Sequence, residues 1–234
     1  IATYNKNLKI LYLKKMKHTE KEIQLLKDEV KLMWKLVISQ LENAKKAMLN
    51  NDIALASKII QNENDVNNFE LKVDNLCENF IALNNPVAID LRLALSLIKI
   101  SSSLERIGDF TDGIARFITE QECENIDHDL VERLGIEKMF DILLGMLLDG
   151  FVAFESEQTK VSEKIISKDD QVDEIYNNVF ETLSNHIKNN PDQTICMLKL
   201  LLLIRKLERI GDHNNNIVEE IVFFVDARVL KHSG

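Results

Sequence analysis

The hexapeptide Leu-Glu-Arg-Ile-Gly-Asp occurs twice in this chain, at residues 104–109 and 207–212, and the repetition runs far beyond six letters. Apolar residues around the first copy fall at Leu93, Leu97, Ile100, Leu104, Ile107, Ile114 and Ile118. A shift of 103 residues lands on Cys196, Leu200, Leu203, Leu207, Ile210, Ile217 and Ile221. Steps alternating between three and four draw one buried stripe along a helix. Both stripes break at the same step, with Thr111 in one copy and Asn214 in the other.

The match continues upstream. Asn85-Pro86 and Asn190-Pro191 each precede a stripe helix, where proline suits the first turn and its predecessor is driven out of helix. Before each proline runs another stripe: Val66, Phe69, Val73, Leu76 and Phe80, then Val172, Ile175, Val179 and Leu183, now at an offset of 106. A further helical segment precedes each, around 22–49 and 131–154. The chain therefore reads as all-α: two tandem antiparallel three-helix bundles, six helices related by duplication. Expected boundaries are an N-terminal extension at 1–16, repeat one at 17–120, a polar linker at 121–130 and repeat two at 131–232. Seven glycines and two prolines are too few to punctuate a sheet-rich fold of 234 residues.

A net charge of −9 disfavours nucleic acid as a partner and suits cations or a basic protein surface. The longest apolar stretch, 195–204, is broken by Lys199 and is half of the roughly 20 residues a bilayer needs, so no integral membrane segment is expected. Residues 1–17 place five lysines around a short apolar patch. They read as a helix extension, with a membrane-surface helix as the alternative. Cys77, Cys123 and Cys196 are scattered and odd in number, which reads as reduced thiols in a cytoplasmic protein.

Chemistry, if there is any, lies in the acidic rows. Residues four and seven apart share a helix face, so Glu105, Asp109 and Asp112 form one row, expected to point away from the core. The second copy offers Glu208 and Asp212, with Asn215 in place of the third acid. The preceding helices contribute Glu63, Asn67, Glu70 and Asp74, and then Asp169, Asp173, Tyr176 and Phe180. Oxygen donors of this kind suit hard cations. The bland alternative is a set of solvated faces, with Arg106 and Arg209 pairing to acids on adjacent helices. A ferritin-like di-iron enzyme would need Glu-x-x-His, which none of the five histidines completes. No G-x-S-x-G, P-loop or paired Cys/His arrangement supports nucleophilic catalysis.

The two Leu-Glu-Arg-Ile-Gly-Asp copies, Pro86-Val87-Ala88-Ile89-Asp90-Leu91-Arg92 and the ending Val229-Leu230-Lys231-His232 together resemble the PhoU family over about residues 22–232. The resemblance implies a pair of three-helix bundles, usually as a homodimer, that restrains the phosphate-starvation response. It implies contact with the ATPase subunit of a phosphate ABC transporter and with a sensor histidine kinase, rather than catalysis. It also implies that a metal cation (Fe, Mn, Mg or Zn) sits on the acidic faces. The ligands carried over are Glu70, Glu105, Asp109 and Asp112 in repeat one and Asp173, Glu208 and Asp212 in repeat two. Asn67 in repeat one and Tyr176 and Asn215 in repeat two depart from the family's acidic pattern, and the latter two weaken repeat two as a metal site. The competing readings are a metal-dependent enzyme using the acidic faces and a regulator of a sodium–phosphate cotransporter.

Overall fold

The computed structural model describes residues 2–120, 123 and 128–229, with side chains from residue 18 onward except at 128. Those residues form eight α-helices and one short 3₁₀ turn: α1 Ala2–Asn50, α2 Ile53–Gln61, α3 Glu63–Asn84, α4 Ala88–Thr119, α5 His128–Arg133, α6 Ile136–Ser156, α7 Ser162–Asn189, the 3₁₀ turn Pro191–Gln193 and α8 Thr194–Asp226. The expected 1–16 extension enters α1 as continuous helix from Ala2, and the expected 121–130 linker falls mostly outside the described residues, its end opening α5.

Eight helices stand where six were expected: the short α5 precedes α6, and one expected helix is split. The second helix of repeat one breaks at Asn62 into α2 and α3, whereas its counterpart α7 runs unbroken. Asp52 starts α2 by accepting a hydrogen bond from the Leu55 N–H at 2.9 Å. At the break, the Gln40 amide on α1 donates to the Asn62 carbonyl at 3.2 Å, which also accepts from the Asp65 N–H at 3.1 Å. The helix-ending Asn85 takes the left-handed conformation ahead of Pro86, while Pro191 opens the 3₁₀ turn before α8.

The duplicated stripes become one continuous core. Leu104 and Leu207 are both completely buried, as are Leu97, Ile100, Ile107, Leu200 and Ile210. Where the stripes break, Thr111 and Asn214 are buried too. Each returns its side-chain donor to the carbonyl four residues back, Ile107 at 2.7 Å and Ile210 at 2.9 Å. In each repeat the Leu-Glu-Arg-Ile-Gly-Asp helix packs against the helix before it, α3 on α4 and α7 on α8. The glycine of the motif permits that approach: a Cβ at Gly108 would stand 3.1 Å from a Val66 methyl, and one at Gly211 would overlap the Asp169 carboxylate.

The two bundles lie side by side along two seams. In one, α4 runs against α8, with Phe110 stacked on His213 at 5.7 Å and Glu220 accepting from Ser96 and Lys99 at 2.9 and 2.8 Å. In the other, α1 meets α6 through Trp34, whose ring packs on Phe151 and Phe154 and whose Nε1 donates to the Leu147 carbonyl at 3.1 Å.

The expected set of three free thiols is corrected. Cys123 and Cys196 form a disulfide, with Cα atoms 5.5 Å apart, and only the buried Cys77 is free. Antiparallel α4 and α8 place Cys123, just past the end of α4, beside the start of α8. That brings together cysteines 73 residues apart in sequence, which no local spacing reveals.

Candidate functional site

The seven candidate ligands divide between two equivalent grooves, α3–α4 and α7–α8. In the first, Glu105 projects from α4 toward Glu70 on α3, with Asp109 one turn further along. The Glu105 side chain is only 14% exposed. Burial, with Asp109 and Glu70 beside it, pushes its carboxyl up to about 7. Glu70 is also raised, first by burial and then by Asp74, although Ser102 donates a hydrogen bond to it. Arg106 does not cross to a neighbouring helix. It turns back to its own, reaching Asp109 at 3.1 Å and Glu105 at 3.5 Å.

Asp112 corrects the expectation of a wholly outward row. It is buried, 9% exposed, and holds Arg116 at 2.6 Å, while its other oxygen lacks a partner. It belongs to an ion pair one turn along α4 rather than to the Glu70–Glu105–Asp109 group.

In the second groove Asp173 on α7 faces Glu208 and Asp212 on α8. Burial raises both Asp173 and Glu208, and in each case Asp212 adds to the effect. Arg209, like Arg106, pairs within its own helix, to Asp212 at 2.9 Å. Beneath this group lies Asp169, absent from the ligand set expected from the sequence. The residue is 8% exposed, and its carboxylate accepts a hydrogen bond from Asn215 on one oxygen; the other has no partner. Burial, with Asp173 and Asp212 nearby, pushes it up to about 7. The signal was in the sequence: Asp169 opens the α7 acidic row at the position equivalent to Glu63.

Both grooves therefore concentrate carboxylates whose mutual repulsion and desolvation favour a proton or a cation. The donor set, all oxygen, fits a hard cation. The fit is one of chemistry more than of closed geometry: among the described residues no three His, Cys, Asp or Glu side chains already converge as a ligand set.

The raised carboxyls have a sign consequence. Glu105 and Asp169 ionise near 4.5 and 3.8 when unfolded and near 7 when folded, so the native chain holds more protons between those limits. The stability these two groups contribute should be fully present below about pH 4, fall as pH rises toward about 7, and level off above it. Urea midpoints at pH 5 and pH 8, with chelator present, measure the drop, and Glu105→Gln should reduce it. A midpoint that rises with pH contradicts the crowding described.

A PhoU domain model matches the chain twice, at residues 30–118 and 136–221, and each match contains one copy of the hexapeptide. The chain belongs to the PhoU family. The phosphate-specific transport system accessory protein PhoU of Serratia marcescens is 33% identical over 91% of this chain and 86% of its own length. Its namesake from Escherichia coli K12 is 30% identical over 91% and 87%. The crystal structure of PhoU from Pseudomonas aeruginosa superimposes with a TM-score of 0.84 at 26% identity, covering 89% of this chain and 99% of that one. The phosphate transport system regulatory protein PhoU from Streptococcus pneumoniae gives a TM-score of 0.78 at 26% identity, covering 91% and 99%. All seven candidate ligands fall within the two PhoU matches. No helix among the described residues is long and apolar enough to cross a membrane.

Proposed function

We propose that this chain restrains phosphate uptake and the phosphate-starvation response through protein–protein contact. Its partners in this reading are the ATPase subunit of a phosphate ABC transporter and a sensor histidine kinase. It acts as a cytoplasmic homodimer. The observation that carries the reading is the double PhoU match at residues 30–118 and 136–221, with relatives aligned over 91% of the chain named as accessory proteins of a phosphate-specific transport system. A contact role also agrees with the grooves, which display crowded carboxylates and guanidinium groups. Loss of the chain should derepress phosphate-starvation genes while phosphate is plentiful. Unchanged expression of a reporter for those genes would overturn the proposal.

Metal binding is part of the same reading. A hard or borderline cation (Fe, Mn, Mg or Zn) would neutralise the α3–α4 acids Glu70, Glu105 and Asp109, and more weakly Asp173, Glu208 and Asp212, where Tyr176 and Asn215 displace acidic donors. The Asp112–Arg116 ion pair argues for a smaller set in repeat one than the resemblance implies. Replacing Asp109 with Asn should lower metal content severalfold after exposure to these ions and leave the circular dichroism spectrum unchanged, because Asp109 carries no core contact. Elemental analysis of both proteins decides it; no metal in the unaltered chain would leave the acidic rows as solvated faces.

A further inference from the structure

The three cysteines differ sharply in surroundings. Cys77 lies on α3 of repeat one, buried, and its thiol is pushed up to about 12 by that burial, with Asp74 adding to the effect. A thiol held so firmly protonated is a poor nucleophile near neutral pH and stays out of disulfide exchange. The other two meet: Cys123 stands four residues beyond the end of α4, and Cys196 is the third residue of α8. Both are half-buried rather than enclosed. The repeat shift of 103 residues sets Cys196 against Leu93, so repeat one carries an apolar side chain where repeat two carries the crosslink.

The crosslink joins residues 73 positions apart, and the loop it closes holds α5, α6 and α7. It therefore fastens Cys123, between the repeats, to the first turn of the last helix, with the other helices of repeat two inside the loop. Closing a loop of that length removes conformations from the unfolded chain without a matching loss in the folded one, which raises the folded-to-unfolded ratio by up to about a thousandfold. The place of Cys196 also suits exchange chemistry. It lies in the first turn of a 33-residue helix that has no acidic residue in that turn, where the helix terminus favours a thiolate.

We infer that Cys123 and Cys196 form a reversible thiol–disulfide switch that sets the stability of repeat two according to the redox state around the chain. In a thiol-rich compartment, such as the cytoplasmic one proposed above, surface disulfides are kept open and those that form are transient and redox-sensing. The pair rests there as two thiols and closes when small-molecule disulfides of the glutathione class accumulate. The Cys196 thiolate attacks one sulfur of the small disulfide, forming a mixed disulfide and releasing one thiolate. The Cys123 thiolate then attacks the Cys196 sulfur, closes the crosslink and expels the second. Each expelled thiolate takes up a proton that an attacking cysteine released, so two protein thiols and one small disulfide become one protein disulfide and two small thiols. The inference goes beyond the contact reading: it rests on the meeting of two cysteines, whatever partner the chain engages.

The test equilibrates the full chain in mixtures of reduced and oxidised glutathione over a wide range of ratios. The chain is then denatured, its free thiols are blocked with iodoacetamide, and the blocked positions are read by mass spectrometry. Labelling should pass reversibly from all three cysteines to Cys77 alone as the mixture becomes oxidising. The urea midpoint should be higher for the oxidised chain than for the reduced one. Cys196→Ser should abolish that difference and Cys77→Ser should preserve it, with circular dichroism confirming that both variants are folded. The inference is overturned if the crosslink does not form, if it recruits Cys77 or a second chain, or if the two forms unfold at the same midpoint. A disulfide that stays closed in excess reduced glutathione is a fixed staple and overturns it too. The reporter response to loss of the chain tests the contact reading separately, so the two can fail independently.

Discussion

Replacing Trp34 with alanine is expected to cost about 3–5 kcal/mol of folding stability, the range for truncating a large buried aromatic. Trp34 is wholly enclosed, although it stands on α1 of repeat one and fills a space lined by α6 of repeat two. Phe151 lies 6.0 Å away edge-on, Phe154 5.7 Å away, and the indole N–H reaches the Leu147 carbonyl. A Cβ at Gly150 would come within 3.1 Å of the ring, so this stretch of α6 backbone lies directly against the indole. Alanine leaves a cavity at the seam that two rigid helices cannot close, and it removes the hydrogen bond as well. Phenylalanine should recover part of the loss by restoring ring contact without the N–H. The measurement is urea unfolding followed by far-UV circular dichroism, because Trp34 is the chain's single tryptophan and its own fluorescence disappears with it. A variant that unfolds at the original midpoint would mean that the two repeats are stable without the α1–α6 seam.

Single changes in the grooves should weaken regulation by degrees rather than abolish it. If the chain works by contact, its binding energy is spread over a surface, and removing one charge at a rim typically changes affinity modestly. Glu105→Gln and Asp212→Asn should therefore shift a phosphate-starvation reporter in proportion to the loss of partner affinity measured by calorimetry. Complete loss of the chain sets the upper limit of derepression. An enzyme would behave otherwise: one general acid or base contributes about 10²–10⁴-fold to rate, so its removal silences output at one stroke. The discriminating result pairs affinity and reporter output for the same variants. Output that collapses while affinity stays unchanged would defeat the contact reading and revive a metal-dependent enzyme acting through the acidic faces.

Much of the architecture was legible because helical periodicity and duplication are local properties. The stripe through Leu104 and its copy through Leu207 can be buried only one way on a helix, and both are buried. The acidic rows were legible as rows for the same reason. Their environments were not. Seven residues fall about 20° short of two full turns, so Asp112 is rotated from Glu105 toward the packed side of α4 while Asp109 is rotated away. That small drift is enough for Asp112 to be buried with Arg116 while Asp109 stays partly open beside Arg106.

The repeat and its spacing alone therefore determined the stripe helices and their core faces, the equivalence of the two halves and the family, but not the break at Asn62 or the short α5. Only the tertiary structure decided that Trp34 joins the halves, that Cys123 meets Cys196, and that Asp169 lies beneath the second acidic group. The physical reason is range: periodicity acts over one turn of helix, but which stripe packs on which neighbour depends on contacts among residues 46 to 113 positions apart.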